Sequence, residues 1–121
     1  MPFLNRTPPE AVAAGKVVDV PRMEAPSFGL DIPGIKSAVE KHKPKVLFLT
    51  SPNNPDGSVI TTDEIDDLLK LQVLVVVDEA YIEFCDTSAS KIADVVNHEN
   101  LIVLRTFSKR AALAGTAFVH D

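Results

Sequence analysis

Cysteine is almost absent: Cys85 is the single one in 121 residues, so no disulfide can form within the chain. That usage fits a reducing compartment. No apolar run is long enough to cross a bilayer. The opening Met1-Pro2-Phe3-Leu4-Asn5-Arg6 lacks the apolar centre of a secretion signal, and a cytoplasmic setting is expected. An excess of positive charge is missing too. The net charge is -5, which speaks against a broad nucleic-acid surface. His42, His98 and His120 are scattered and share no metal-ligand spacing. Repeats, low-complexity tracts and internal linkers are lacking as well. What remains is 45% hydrophobic and 24% charged, the balance of one folded domain. A chain of this length buries roughly two-thirds of its unfolded surface.

The apolar residues fall into short runs. Val46-Leu47-Phe48-Leu49, Val73 to Val77 and Leu101 to Leu104 read as buried strands, and Lys16 to Val20 as a further short strand stopped by Pro21. Helical patterns lie between them. Asp31 caps one helix, with Pro33 in its first turn, Ile35, Ala38 and Val39 on one face, and Lys43-Pro44 as its end. Thr61 and Glu64 form a capping box ahead of Ile65, Leu68 and Leu69. Thr87 or Ser88 is expected to open a third helix, burying Ile92, Val95 and Val96. The order β-α-β-α-β-α-β predicts an α/β fold, a parallel sheet covered by crossover helices on its faces. Residues 1–15 read as an irregular segment.

Right-handed crossovers put successive strand ends on one edge, and ligands bind at that edge in open α/β sheets. The residues there are chemically complementary. Asp78 ends an apolar strand, and a carboxylate in that position needs a cation or several donors; a protonated pyridine nitrogen would serve. Asn54 and Tyr81 can hydrogen-bond a phenolate-type oxygen. Thr106 and Ser108 can bind a phosphate with hydroxyls and nearby N–H groups. Lys109 has an amine that attacks a carbonyl only if its pKa falls from about 10.4, as desolvation and neighbouring cations would make it do. Taken singly, each has an ordinary alternative: a solvated lysine, a salt-bridged or capping aspartate, an Asx-turn asparagine, a packed tyrosine, a polar strand exit. Together, on three successive strand ends, they point to one ligand.

Three motifs carry a resemblance. Ser51-Pro-Asn-Asn-Pro-Asp-Gly57, Val77-Asp-Glu-Ala-Tyr-Ile-Glu-Phe84 and Arg105-Thr-Phe-Ser-Lys-Arg110 resemble the fold type I, class I/II pyridoxal-phosphate aminotransferases, and most of all their histidinol-phosphate branch. The likeness spans about residues 16–115, which would be the central part of the large domain of such a transferase, with a three-layer, mostly parallel sheet. It implies pyridoxal 5'-phosphate as cofactor. Lys109 would be the catalytic lysine that carries it as a Schiff base and moves the proton. Asp78 would face the pyridine nitrogen, Asn54 and Tyr81 the ring oxygen, and Thr106 and Ser108 the phosphate. The implied reaction is amino transfer between L-histidinol phosphate and 2-oxoglutarate in histidine biosynthesis, by a homodimer in the cytoplasm or a plastid, with no nucleic-acid or membrane partner.

The likeness is incomplete. Where the family pattern has a phosphate-binding arginine eight residues after the lysine, this chain has Ala117, and residues 116–121 diverge. The opening nine residues also diverge. The expectation is a fragment, catalytically incomplete alone. Rival readings are a related aminotransferase or phospho-amino-acid decarboxylase, a non-catalytic fragment that pairs with a full-length subunit, and a receiver-like phosphoacceptor module. The last lacks the acidic pair that should follow the first strand, and only one crossover separates Asp78 from Lys109.

Overall fold

The computed structural model describes residues 16–108. Three strands, β1 (Val46–Thr50), β2 (Leu74–Asp78) and β3 (Leu101–Leu104), form a parallel sheet in the order β1-β2-β3. Helix α1 (Ile32–His42) precedes β1, and α2 (Thr62–Leu69) connects β1 to β2. The connection from β2 to β3 holds three 3-10 turns, Ile82–Phe84, Thr87–Ala89 and Ile92–Asn97.

Both α-helices begin and end where local chemistry directs. The Asp31 carboxylate accepts the Gly34 N–H at 3.0 Å, with proline in the first turn. Lys43 turns left-handed at φ 46° and donates its N–H to Val39 O at 2.8 Å before Pro44 stops the chain. On α2, Thr61 Oγ1 accepts the Glu64 N–H while the Glu64 carboxylate accepts the Thr61 N–H, so two orphan donors are satisfied reciprocally. Ile65, Leu68 and Leu69 form the buried stripe of α2.

Strand residues alternate between faces. Leu49, Val75, Val77 and Leu101 turn toward the helices and build the core with Leu30, Ile35, Ile60, Ile65, Leu68, Leu69 and Val73. Apolar side chains also line the opposite face, where Val46, Phe48, Ile102 and Leu104 are exposed among the described residues. Asp78 shares a rung with Thr50 and Leu104 and thus stands at the carboxyl end of that second face. Two of the expected three layers therefore lie within residues 16–108.

Two local expectations are corrected. Lys16 to Val20 is not a strand: it makes no ladder, and Val17 and Val18 are exposed. A run of four or five residues is a strand only where a neighbouring edge takes its N–H groups, and Pro21 withholds one donor. Only Val20 packs against the core. The helix expected from Thr87 or Ser88 is also absent. Ser90 is extended at ψ 141°, and the supposed buried face is open, with Ile92 52% and Val96 86% exposed. The cause is hydrogen-bond competition. The Lys91 N–H goes to the Glu79 carboxylate at 2.6 Å and the Ile92 N–H to Ser90 Oγ at 3.1 Å, so neither enters a helical ladder.

Candidate functional site

The sheet ladder brings the three strand exits to one level. Thr50, Asp78 and Leu104 lie on one rung. The Ser51 N–H donates to Asp78 O at 3.0 Å and the Glu79 N–H to Leu104 O at 2.9 Å, so all three chains leave the sheet together. This edge carries five of the six residues expected to form a site. The sixth, Lys109, lies outside the described residues, as does Ala117.

After β1, the loop is held from inside by residues that do not themselves stand out as ligand groups. Thr50 Oγ1 donates to Asn53 Oδ1 at 2.6 Å, and Asn53 Nδ2 donates to Asp56 Oδ2 at 2.6 Å. The Ser58 N–H donates to Asp56 Oδ1 at 2.7 Å, and Ser51 Oγ accepts the Ile60 N–H at 3.0 Å. Gly57 takes φ 72°, which a side chain would strain. Arg22 clamps the loop from the preceding segment, donating to Thr50 O at 2.7 Å and Ser58 Oγ at 3.0 Å. Burial lowers the Arg22 pKa, against the opposing charges of Asp56 and Glu64. Burial acts to raise the Asp56 carboxyl, but hydrogen bonds from Ser58 and Asn53 and the charge of Arg22 outweigh it and hold that carboxyl below its ordinary value. Asn54 is exposed at the tip of this braced loop.

After β2, Asp78 is half-buried, and its Oδ1 accepts the Ala80 N–H at 2.9 Å. A carboxylate has about four lone-pair sites, so acceptor capacity remains. Tyr81 is half-buried at the start of the turn Ile82–Phe84, its ring tilted 43° to that of Phe84 at 6.2 Å. After β3, Thr106 Oγ1 and Ser108 Oγ are 2.8 Å apart, and the Ser108 N–H donates to Thr106 Oγ1 at 3.2 Å. That pairs two hydroxyls and a backbone amide in one tight turn.

Glu79, Arg105 and Arg22 were not singled out from the pattern, although a signal existed. A glutamate follows the most apolar strand and an arginine follows the next, at the same sheet edge. Glu79 is 1% exposed and ion-paired with Arg105, Nε to Oε2 at 3.0 Å. Cys85 is half-buried, and its thiol pKa is raised by burial and by the carboxylates of Asp86 and Glu79, which disfavours the reactive thiolate.

The fold is an α/β domain with a parallel sheet, and a carboxylate, an amide, a phenol and paired hydroxyls lie along the carboxyl edge at which open α/β sheets bind ligands. The sequence model described as "Aminotransferase class I and II" matches residues 11–120, and the chain belongs to that family, whose members use pyridoxal phosphate. It is 55% identical to the chloroplastic histidinol-phosphate aminotransferase of Nicotiana plumbaginifolia over 87% of this chain and 25% of that protein. The crystal structure of the histidinol-phosphate aminotransferase from Clostridium acetobutylicum superposes with a TM-score of 0.67 at 28% identity, over 74% of this chain and 28% of that one. A decarboxylase from Sulfurospirillum multivorans superposes with a TM-score of 0.71 at 27% identity, over 83% and 30%. The chain thus spans about a quarter of the length of the curated relative it matches.

Proposed function

We propose that these residues form the cofactor-holding strand edge of a pyridoxal-phosphate-dependent aminotransferase that exchanges the amino group of L-histidinol phosphate with 2-oxoglutarate. The observation that carries this reading is the shared rung of Thr50, Asp78 and Leu104, beyond which Asn54, Tyr81, Thr106 and Ser108 follow, in a chain 55% identical to a histidinol-phosphate aminotransferase.

The donor set fits the cofactor. Asp78 would accept a hydrogen bond from the ring nitrogen and favour its protonated form. Asn54 and Tyr81 donate to the ring oxygen. Thr106 and Ser108, with the Ser108 amide close by, bind the phosphate. Lys109 would hold the cofactor through its amine and would carry the proton to and from the substrate carbon. When bound, pyridoxal phosphate provides the electron sink for that proton transfer. The phosphate-binding arginine that the family pattern places at position 117 is replaced by alanine, so Thr106 and Ser108 carry more of the phosphate contact. The 121 residues, which span about a quarter of the length of the curated relative, hold the cofactor, and the active unit is a homodimer.

The test is to add pyridoxal phosphate to the full chain and record its absorbance, with Lys109→Ala beside it. A band at the visible–ultraviolet border that the substitution abolishes, and a borohydride-fixed label on Lys109, are expected. A soluble, folded chain with no lysine-dependent band would refute the reading. The likeness to a decarboxylase favours a second reading on the same cofactor. Carbon dioxide release from a phospho-amino acid, without keto-acid product, would select it. The cellular setting follows the plant relative, whose name is chloroplastic. Plastid import of a fluorescent fusion would distinguish that from the cytoplasm.

A further inference from the structure

We propose that Glu79 and Arg105 are a positioning pair. They hold the Thr106–Ser108 turn in register with Asp78, so that one ligand is gripped at its ring nitrogen and its phosphate together. This rests on the cofactor assignment above and assigns two residues that the binding scheme does not use.

The two carboxylates of Asp78 and Glu79 are neighbours in sequence but serve different partners. Asp78 Oδ1 accepts the local Ala80 N–H. Glu79 is buried, and its carboxylate is saturated: Oε2 accepts Ser90 Oγ–H at 2.7 Å and Arg105 Nε–H at 3.0 Å, and Oε1 accepts the Lys91 N–H at 2.6 Å. Arg105 spreads its remaining donors to Ser90 Oγ at 2.6 Å and Glu83 Oε1 at 3.4 Å. The Glu79 N–H meanwhile bonds Leu104 O. Residue 79 therefore holds the end of β3 at two consecutive positions, Leu104 through the main chain and Arg105 through the side chain. Thr106 comes next, so the hydroxyl turn departs from a point tied to the residue beside Asp78.

A well-packed apolar pair would join two strand ends at less desolvation cost. What the carboxylate and guanidinium add is a set direction, because the planar guanidinium has its donors in a rigid fork. That is a requirement when two contacts on one small ligand must keep a constant separation.

The test compares two probes that differ only in a phosphate, pyridoxal phosphate and pyridoxal, by equilibrium binding to the full chain. Glu79→Gln and Arg105→Gln are expected to weaken pyridoxal phosphate by about tenfold, the scale of one charge-assisted hydrogen bond, and pyridoxal by less than about twofold. Arg105→Gln leaves Glu79 with its Ser90 and Lys91 donors and serves if Glu79→Gln does not fold. Amide hydrogen exchange without cofactor is the second readout. Thr106, Phe107 and Ser108 should exchange about tenfold faster in the variants, with Val75 and Val77 unchanged. Equal weakening of both probes, or unaltered exchange at 106–108, overturns the pairing role. If the unsubstituted chain holds pyridoxal phosphate no tighter than pyridoxal, the phosphate assignment of Thr106 and Ser108 fails by itself. Exchange then decides the pairing: faster exchange confined to 106–108 sustains it, and no change ends it.

Discussion

The junctions after β1 and β2 leave the same sheet edge and solve the same problem differently. Each begins with an apolar strand ending on a polar residue, and each is followed by a stretch patterned as a helix. After β1, the loop closes on itself through Asn53, Asp56 and Ser58, and Thr61 then opens a regular helix whose first N–H groups are satisfied within four residues. After β2, Glu79 stays buried and takes the Lys91 N–H and the Ser90 hydroxyl from twelve and eleven residues on. Those groups are lost to a helix, and the connection settles as 3-10 turns. The difference teaches that a buried carboxylate outranks local helical preference when main-chain donors are the means of neutralising it.

The largest test of this contrast is Glu79→Ala. It leaves Ser90 and the buried Lys91 N–H without their shared acceptor, while Arg105, a third exposed, can turn to water; the cost expected from the orphaned donors is about 3 kcal/mol. Urea unfolding should show that loss. A cost under about 1 kcal/mol would mean that the second junction is held by packing. Asn53→Ala removes the centre of the first junction's network but leaves partners that can reach water, and the expected cost is about 1–3 kcal/mol by the same measurement. Thr61→Ala removes only one cap, at about 1 kcal/mol, and should lower the helical circular dichroism of α2 without disturbing the β2–β3 connection. The smallest effect is a pH dependence. The Asp56 carboxyl is held below its ordinary value, so its contribution is fully present above the unfolded pKa and is lost as pH falls through the lower folded pKa. An NMR titration should place the Asp56 midpoint below that of a model aspartate and show the Ser58 amide shifting with it. In Arg22→Gln the midpoint should move up toward the ordinary value. An unmoved midpoint would remove Arg22 from the causes.

Much of the fold was legible because the signals are short-range. The Asp31 cap, the Thr61–Glu64 box, the turn at Gly57 and the three apolar runs of β1, β2 and β3 each depend on residues within a few positions. The strand exits bearing Asn54, Asp78, Tyr81, Thr106 and Ser108 were legible for the same reason: once three parallel strands are recognised, their carboxyl ends fall on one edge. Arg22, Glu79 and Arg105 were not, since their partners lie 26–36 residues away. Charged residues near strand ends look alike in a sequence whether they are solvated or buried.

The sequence by itself therefore determined where helices start, where the sheet's strands run, and which functional groups leave their carboxyl edge. These are settled by capping, turn chemistry and the alternation of apolar residues, all local in the chain. Only the tertiary structure decided that Lys16 to Val20 stays outside the sheet, that the segment after Thr87 is not an α-helix, and that Glu79 rather than Asp78 is the buried anchor between β2 and β3. Each turns on which distant group takes a particular N–H or carboxylate, a competition that exists only once the strands are side by side.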